Sequence, residues 1–323
     1  MQILIHSADA EQWQTAIAKA LPKAKVITSD AALEERQDAD YLVAWQPPGW
    51  LFEEQQALKG IINLGAGVDA LLNNPALPAG IPIVKLRDAG MADPMIDYVR
   101  YAVLHFQRDF DHYARQQARR QWLERPLASK AEWGIGVLGL GAIGARVAQA
   151  LAADGFPVHG WSRHPKALDG VRCYHGKEGL ATLLGQVKSL VTLLPNTPAT
   201  RGIINAETLA ALPQGASLIN PGRGSLIDEA ALLDALGPAN AETGGGKDDG
   251  NGDTGRLRGA VLDAFAREPL PAESPLWRHP HVLITPHMAA PTPRGAALEQ
   301  VIDTLRAWQA GEQVPSIDPS AGY

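Results

Sequence analysis

The sequence predicts an α/β fold built as two domains, each with a parallel sheet, and three observations predict it. Short apolar runs alternate with helical patterns along both halves of the chain, which is the alternation that lays helices on the faces of a parallel sheet. The run Gly139-Leu140-Gly141-Ala142-Ile143-Gly144 stands between one such strand and one such helix. At 323 residues the chain is long enough for two domains rather than one.

In the first set, strands are expected at 2–5, 25–28, 41–45, 61–64 and 83–85, with helices at 9–21 and 51–59. A second set begins near 134, with strands expected at 135–138, 157–161, 189–194, 216–219, 259–262 and 281–285 and helices between them. Six strands with a glycine turn after the first make a full dinucleotide-binding domain of the Rossmann type. The last helical pattern, 295–310, lies beyond the sixth strand and is free to return to the first domain. The expected division is 1–98 with 289–323 for one domain and 99–288 for the other.

The glycine run carries the clearest chemistry. Before it, Ile135-Gly136-Val137-Leu138 has the length of a buried strand; after it, Ile143, Val147, Ala148, Leu151 and Ala152 recur at helical spacing. Gly139 permits the tight turn, Gly141 lets backbone approach a pyrophosphate, and Gly144 lets helix and strand pack closely. The open N–H groups at the helix start, around Ala142 and Ile143, and the positive end of its dipole then face the phosphates. An acid at the end of the next strand, about 20 residues past the glycines, would select NAD by bonding the ribose 2′-hydroxyl. This chain has Trp161-Ser162-Arg163 there instead. A hydroxyl and a guanidinium suit a 2′-phosphate, so NADP, used as NADPH, is expected ahead of NAD.

Composition narrows the partners. The net charge of -6 argues against nucleic acid or an anionic membrane surface. Cys173 is the sole cysteine, which excludes a disulfide scaffold and a cysteine-rich metal centre. No metal-ligand spacing stands out. The start has no basic and apolar leader and no apolar run reaches the roughly 18 residues of a span, so a cytoplasmic location is expected. The basic run Arg115, Arg119, Arg120 and Arg125 lies on a helix-like stretch with glutamines and reads as a solvated or subunit-facing surface. The stretch 244–255, GGGKDDGNGDTG, has no large apolar residue and reads as a flexible surface insertion. Its Asp248, Asp249, Asn251 and Asp253 lack the flanking helices and closing glutamate of a calcium loop.

Three further turns follow expected strands and carry charge: Asn220-Pro221-Gly222-Arg223-Gly224, Asp263 through Glu268, and Thr285-Pro286-His287. Singly, each is an ordinary solvated turn; together, they hold the groups needed to reduce a 2-oxo acid. Here the chain resembles the D-isomer-specific 2-hydroxyacid dehydrogenases over nearly its whole length. The resemblance rests on GLGAIG, LLPNTPAT at 193–200, INPGRGSLID at 219–228, LDAFAREPLP at 262–271 and ITPHMAA at 284–290. Trp45-Gln46-Pro47-Pro48, the run from Asn63 to Asp69, Asp88-Ala89-Gly90-Met91-Ala92 and Trp161-Ser162-Arg163 make it most similar to the branch of glyoxylate and hydroxypyruvate reductases.

The resemblance implies a flavodoxin-like substrate domain beside the cofactor domain, an active site in the cleft between them that closes on binding, and a homodimer. It implies His287 as general acid, Glu268 as the partner that fixes its ring, and Arg223 as the group that orients the substrate and stabilises developing oxyanion charge. The N–H groups of Ala66, Gly67 and Val68 would receive the substrate carboxylate, with Trp45 walling the pocket. Pro195, Thr197, Asn220 and Asp263 would add cofactor contacts. Two alternatives stay open: an NAD-linked dehydrogenase of a larger 2-oxo acid, and a nucleotide-sensing binding protein without turnover.

Overall fold

The structure, a computed structural model, describes residues 1–238, 255–319 and 322. The expected insertion 244–255, with its four candidate calcium ligands, therefore lies outside the described residues except for Gly255. The chain divides into two compact units, Met1–Met91 with Thr292–Tyr323 and Ala92–Pro291.

The first unit runs β1 (Gln2–His6), α1 (Ala10–Ala20), β2 (Lys25–Thr28), α2 (Leu33–Arg36), β3 (Tyr41–Ala44), α3 (Gly49–Glu53), β4 (Gly60–Asn63), α4 (Asp69–Leu72) and β5 (Ile83–Lys85). Its strands are parallel in the order β2-β1-β3-β4-β5, which is the flavodoxin-like order. The five apolar runs all become strands; the central ones, β1, β3 and β4, are the most buried and read as near-continuously apolar, while the edge strands β2 and β5 are partly exposed. The helix expected over 51–59 stops at Glu53. Beyond it, Glu54 turns to a two-pronged ion pair with Arg36, and buried Gln55 bonds the Ala39 N–H and the Arg36 carbonyl. Those distant partners draw the chain off the helix axis.

The second unit runs α5 (Ala92–Gln107), α6 (Phe110–Ala118), β6 (Ile135–Leu138), α7 (Ala142–Ala153), β7 (Val158–Ser162), β8 (Val171–His175), α8 (Gly176–Leu184), β9 (Ser189–Thr192), α9 (Ala206–Ala211), β10 (Ala216–Asn220), α10 (Glu229–Leu236), β11 (Leu257–Leu262) and β12 (Val282–Ile284). The chain then returns to the first unit as α11 (Arg294–Gln309), whose Trp308 stacks on Tyr41 of β3 at 5.0 Å. The sheet of the second unit is parallel, in the order β12-β11-β10-β9-β6-β7-β8. It is the Rossmann order with one further strand beyond β11, and its order reverses between β6 and β9. Successive residues such as Leu218 and Ile219 of β10 feed two apolar clusters, one on each face.

Two sequence expectations change here. The second sheet has an edge strand, β8, that the apolar pattern missed: none of its residues is buried and Arg172 interrupts it. The units also divide at 91/92 and 291/292, not at 98/99 and 288/289. A division at 98 would cut α5, one unbroken helix whose Val99, Val103 and Phe106 join the cluster of Val137, Val147 and Leu151. Arg100 adds a two-pronged ion pair with Asp154, just past α7.

Candidate active site

In the second unit every strand is parallel, so the turns that follow β6, β7, β9, β10, β11 and β12 emerge at one edge of the sheet. Open sheets of this kind bind ligands there, near the point where strand order reverses. Gly139 has φ +102, and a Cβ on it would lie 2.6 Å from the Leu193 carbonyl oxygen. A Cβ on Gly144 would run into the carbonyl oxygen of Gly139. Only glycine fits either place. Gly141, by contrast, caps α7 and a Cβ there would meet nothing within 4 Å. The turn is thus packed tightly behind and open in front. The first turn of α7 leaves the N–H groups of Ala142, Ile143 and Gly144 without helical partners, a fit for a pyrophosphate.

The end of β7 is basic. Ser162 is buried and donates its hydroxyl to the His164 carbonyl at 2.7 Å; Arg163 and His164 are exposed immediately after it. The Lys166 ammonium donates to the Leu140 carbonyl inside the glycine turn. Three basic side chains, and no acid before Asp169, follow the strand. This donor set fits a 2′-phosphate and would not hold a ribose 2′-hydroxyl as a carboxylate does.

The turns after β10, β11 and β12 are locked to one another. Gly224 lies flat on the backbone of Phe265 and Ala266, where any Cβ would collide. This contact places the Arg223 turn against the Glu268 turn. Arg223 itself is half-buried and donates to the Gly222 carbonyl at 3.0 Å. Nδ1 of His287 lies 2.8 Å from Oε2 of Glu268, while Oε1 accepts the Phe265 N–H at 3.0 Å. A carboxylate can only accept, so Nδ1 carries the proton and Nε2 is left to face outward. Glu229, on α10, accepts the Ala266 N–H at 3.1 Å and steadies the same turn. His287 has φ 52, a left-handed conformation that few residues hold unaided.

Two residues expected among the cofactor contacts have their side chains committed elsewhere. Asn220 is fully buried: its oxygen accepts from Thr192 and the Gly222 N–H, and its amide donates to the Arg223 and Ala264 carbonyls. Asp263 is 1% exposed, and its carboxylate accepts from Thr285, the Met288 N–H and the Ala289 N–H. Both brace turns, and neither has a side-chain face to spare. Thr197 is buried against Thr200, whose hydroxyl also bonds the Pro195 carbonyl, so the PNTPAT turn holds itself.

In the first unit, β3 and β4 are neighbours, and the turn after each contributes to one local arrangement. Buried Asn63 donates to the carbonyls of both Gly65 and Gly67 at 2.9 Å. In a trans peptide the N–H points opposite the carbonyl. Capturing those two carbonyls therefore turns the N–H groups of Ala66 and Val68 the other way, with Gly67 between them. The Trp45 ring lies on Gly65, where a Cβ would collide with it. Trp45 is 38% exposed, so its ring covers this loop from the surface rather than joining the core. Asn63 was missed from sequence because an amide at the end of an apolar strand gives no sign of what it will grip.

The flank of the second unit departs from expectation. Helix α6 ends at Ala118, so of the basic run only Arg115 lies on it. Arg115 pairs with Asp111, and Arg125 with Asp109. Asp109, Asp111 and His112 bring ligand atoms within 4.8 Å of one another. The Arg258 guanidinium bonds both carboxylates and serves as their cation.

With this geometry in place the comparisons decide the family. The model of the D-isomer specific 2-hydroxyacid dehydrogenase NAD binding domain matches residues 101–243 and 252–289. The chain belongs to the D-isomer-specific 2-hydroxyacid dehydrogenase family. The match breaks at 244–251, within the glycine-rich stretch. A glyoxylate/hydroxypyruvate reductase A of Salmonella typhi is 40% identical over 331 residues, covering all of both chains. A family member from Xanthobacter autotrophicus, crystallised with NADPH and MES, has a TM-score of 0.87 at 40% identity, covering 100% of this chain and 99% of that one. The NADPH-dependent glyoxylate/hydroxypyruvate reductase of Sinorhizobium meliloti, crystallised with NADP and sulfate, has a TM-score of 0.87 at 33% identity and the same coverage. Family membership makes this protein an NAD(P)-dependent oxidoreductase.

Proposed function

We propose that the protein reduces small 2-oxo acids with NADPH, glyoxylate to glycolate and hydroxypyruvate to D-glycerate. The observation that carries this reading is the His287–Glu268 pair, held at 2.8 Å on the same sheet edge as the glycine turn. Full-length relatives named for this activity support it. Bound NADPH supplies the hydride. His287, as an imidazolium paired with Glu268, presents Nε2–H to the substrate carbonyl oxygen and gives up that proton as the carbonyl carbon is reduced, leaving the neutral ring with its proton on Nδ1. Glu268 keeps the ring aimed. Arg223 offers two parallel donors to the carboxylate and carbonyl, orienting them and stabilising charge that builds on oxygen. The outward N–H groups of Ala66 to Val68 offer a second grip on the carboxylate, with Trp45 as an apolar wall. Arg163 and Lys166 hold the 2′-phosphate, with Ser162, its hydroxyl given to the His164 carbonyl, shaping the turn beneath them, and Gly139, Gly141, Ala142, Ile143 and Gly144 hold the pyrophosphate.

We further propose a cytoplasmic homodimer. Among the described residues, no helix is long and apolar enough to cross a membrane. Trp122 is 99% exposed, with Leu123 and Leu127 beside it in sequence, an apolar surface that a second copy would cover. Light scattering of the wild type and of Trp122→Ser tests the dimer.

The activity is tested with a panel of 2-oxo acids, following loss of reduced-cofactor absorbance with NADPH and NADH in parallel. Turnover of glyoxylate and hydroxypyruvate, faster with NADPH, is expected. A preference for NADH, or for bulky acids alone, overturns the reading.

A further inference from the structure

The buried carboxylate of Asp263 leads to a residue that the reaction, as described, does not use. Three consecutive N–H groups converge on Asp263: that of His287 on its main-chain carbonyl at 2.9 Å, and those of Met288 and Ala289 on its two carboxylate oxygens at 2.9 Å each. This grip holds His287 at φ 52. The Thr285 hydroxyl donates to the same carboxylate at 2.6 Å. Having given its one proton to Asp263, Thr285 can only accept from Tyr98, whose hydroxyl lies 2.7 Å away. Tyr98 sits on α5. Burial pushes its pKa up, so its hydroxyl keeps its proton through the working range.

We infer that Tyr98 is a positioning residue for the proton donor, acting through the relay Tyr98 to Thr285 to Asp263 to the His287 turn. Each bond in such a chain polarises the next. The relay ends on a buried carboxylate whose other two bonds both go to the backbone of the His287 turn, at Met288 and Ala289. Loosening it lets Asp263 rotate and releases the strained His287 backbone, so the imidazole loses its aim. Sequence reading could not find Tyr98, because it lies 187 residues from its partner and outside every glycine-rich or charged turn.

The inference rests on the proposed reduction, and the test separates the two. Tyr98→Phe, which keeps the ring, is expected to lower kcat about three- to tenfold with little change in KM for NADPH, as for the loss of one buried hydrogen bond. Thr285→Val should lose more, and Thr285→Ser should recover most of the rate. In a His287→Ala background, Tyr98→Phe should cost nothing further, since both act through one group. A wild-type kcat for Tyr98→Phe, or a loss that simply adds to that of His287→Ala, overturns the relay. So does a lowered melting temperature with kcat unchanged, which marks a purely structural bond. The His287 ring resonances give a readout without substrate: Tyr98→Phe should broaden or shift the Nδ1 proton bound to Glu268. If the wild type fails to turn over any 2-oxo acid, the proposed function falls, and unchanged His287 resonances in Tyr98→Phe would independently sink the relay.

Discussion

The two units share a doubly wound architecture, and the turns that follow their strands present different groups. In the first unit the turns after β3 and β4 offer backbone: Asn63 captures two carbonyls, so N–H groups face outward, and Trp45 lies over a glycine. In the second unit the corresponding edge offers charged side chains: Arg163 after β7, and Arg223, Glu268 and His287 on turns braced by buried Asn220 and Asp263. The contrast teaches that recognition by main chain needs side chains removed, whereas proton transfer and charge stabilisation need particular side chains held still. Adding atoms should harm the loop after β4 and the glycine turn after β6 most, and removing them the charged turns after β10, β11 and β12.

The largest expected effect is in the second unit. His287→Ala should lower the reduction rate by about a hundredfold or more, typical of losing a general acid, with NADPH affinity preserved. Steady-state kinetics beside cofactor titration checks this, and near wild-type turnover would dismiss His287 as the donor. Next comes Arg163→Ala. Losing charge-assisted contacts to the 2′-phosphate should raise KM for NADPH roughly ten- to hundredfold and leave NADH use nearly unchanged. An equal change for both cofactors would show that Arg163 acts on something other than the phosphate.

Gly65→Ala probes the first unit. The added methyl must displace the Trp45 ring, and KM for the 2-oxo acid should rise about tenfold with kcat less affected, as for loss of uniform binding. Pairing it with Trp45→Ala should remove the clash; if the double variant is no better than Gly65→Ala alone, the stacking is irrelevant.

The smallest effect concerns pH. Of the nine histidines only His6 lies in the first unit. In the second, burial pulls His112 and His281 down to about 4, with nearby arginines reinforcing the shift. Both are neutral when folded, while an unfolded histidine protonates near 6.5. Stability from these groups is therefore full above about 6.5 and is lost as pH falls toward 4. Amide exchange followed from neutral to acidic pH should show the second unit losing protection first, and His112→Gln with His281→Gln should flatten that dependence. Earlier loss in the first unit would contradict the assignment.

Most of the architecture was legible because each unit buries its central strands on both faces. The apolar runs at 2–5, 25–28, 135–138 and 216–219 announce themselves for that reason. Edge strand β8 was not legible because none of its residues is buried and Arg172 and His175 break its apolar run, whereas the equally unburied edge strand β12 keeps the apolar run Val282-Leu283-Ile284. Among the site residues, the glycines were readable from local sterics alone. The roles of Asn220 and Asp263 were not, because type and position in a motif do not reveal whether a polar side chain turns toward a ligand or into the fold.

The sequence by itself determined the strand and helix alternation, the glycine turn with its basic neighbour Arg163, and the identity of the charged turns. These depend on local spacing and on the chemistry of single residues. The tertiary structure alone decided where the chain divides, because α5 is assigned by what Val99, Val103 and Phe106 pack against. It alone showed that Glu268 grips His287, that Gly224 seats the Arg223 turn on Phe265, and that Tyr98 reaches Asp263 through Thr285. The physical reason is that a hydrogen bond is specified by position to a fraction of an ångström, and partners far apart in sequence acquire that position only when the sheet is assembled.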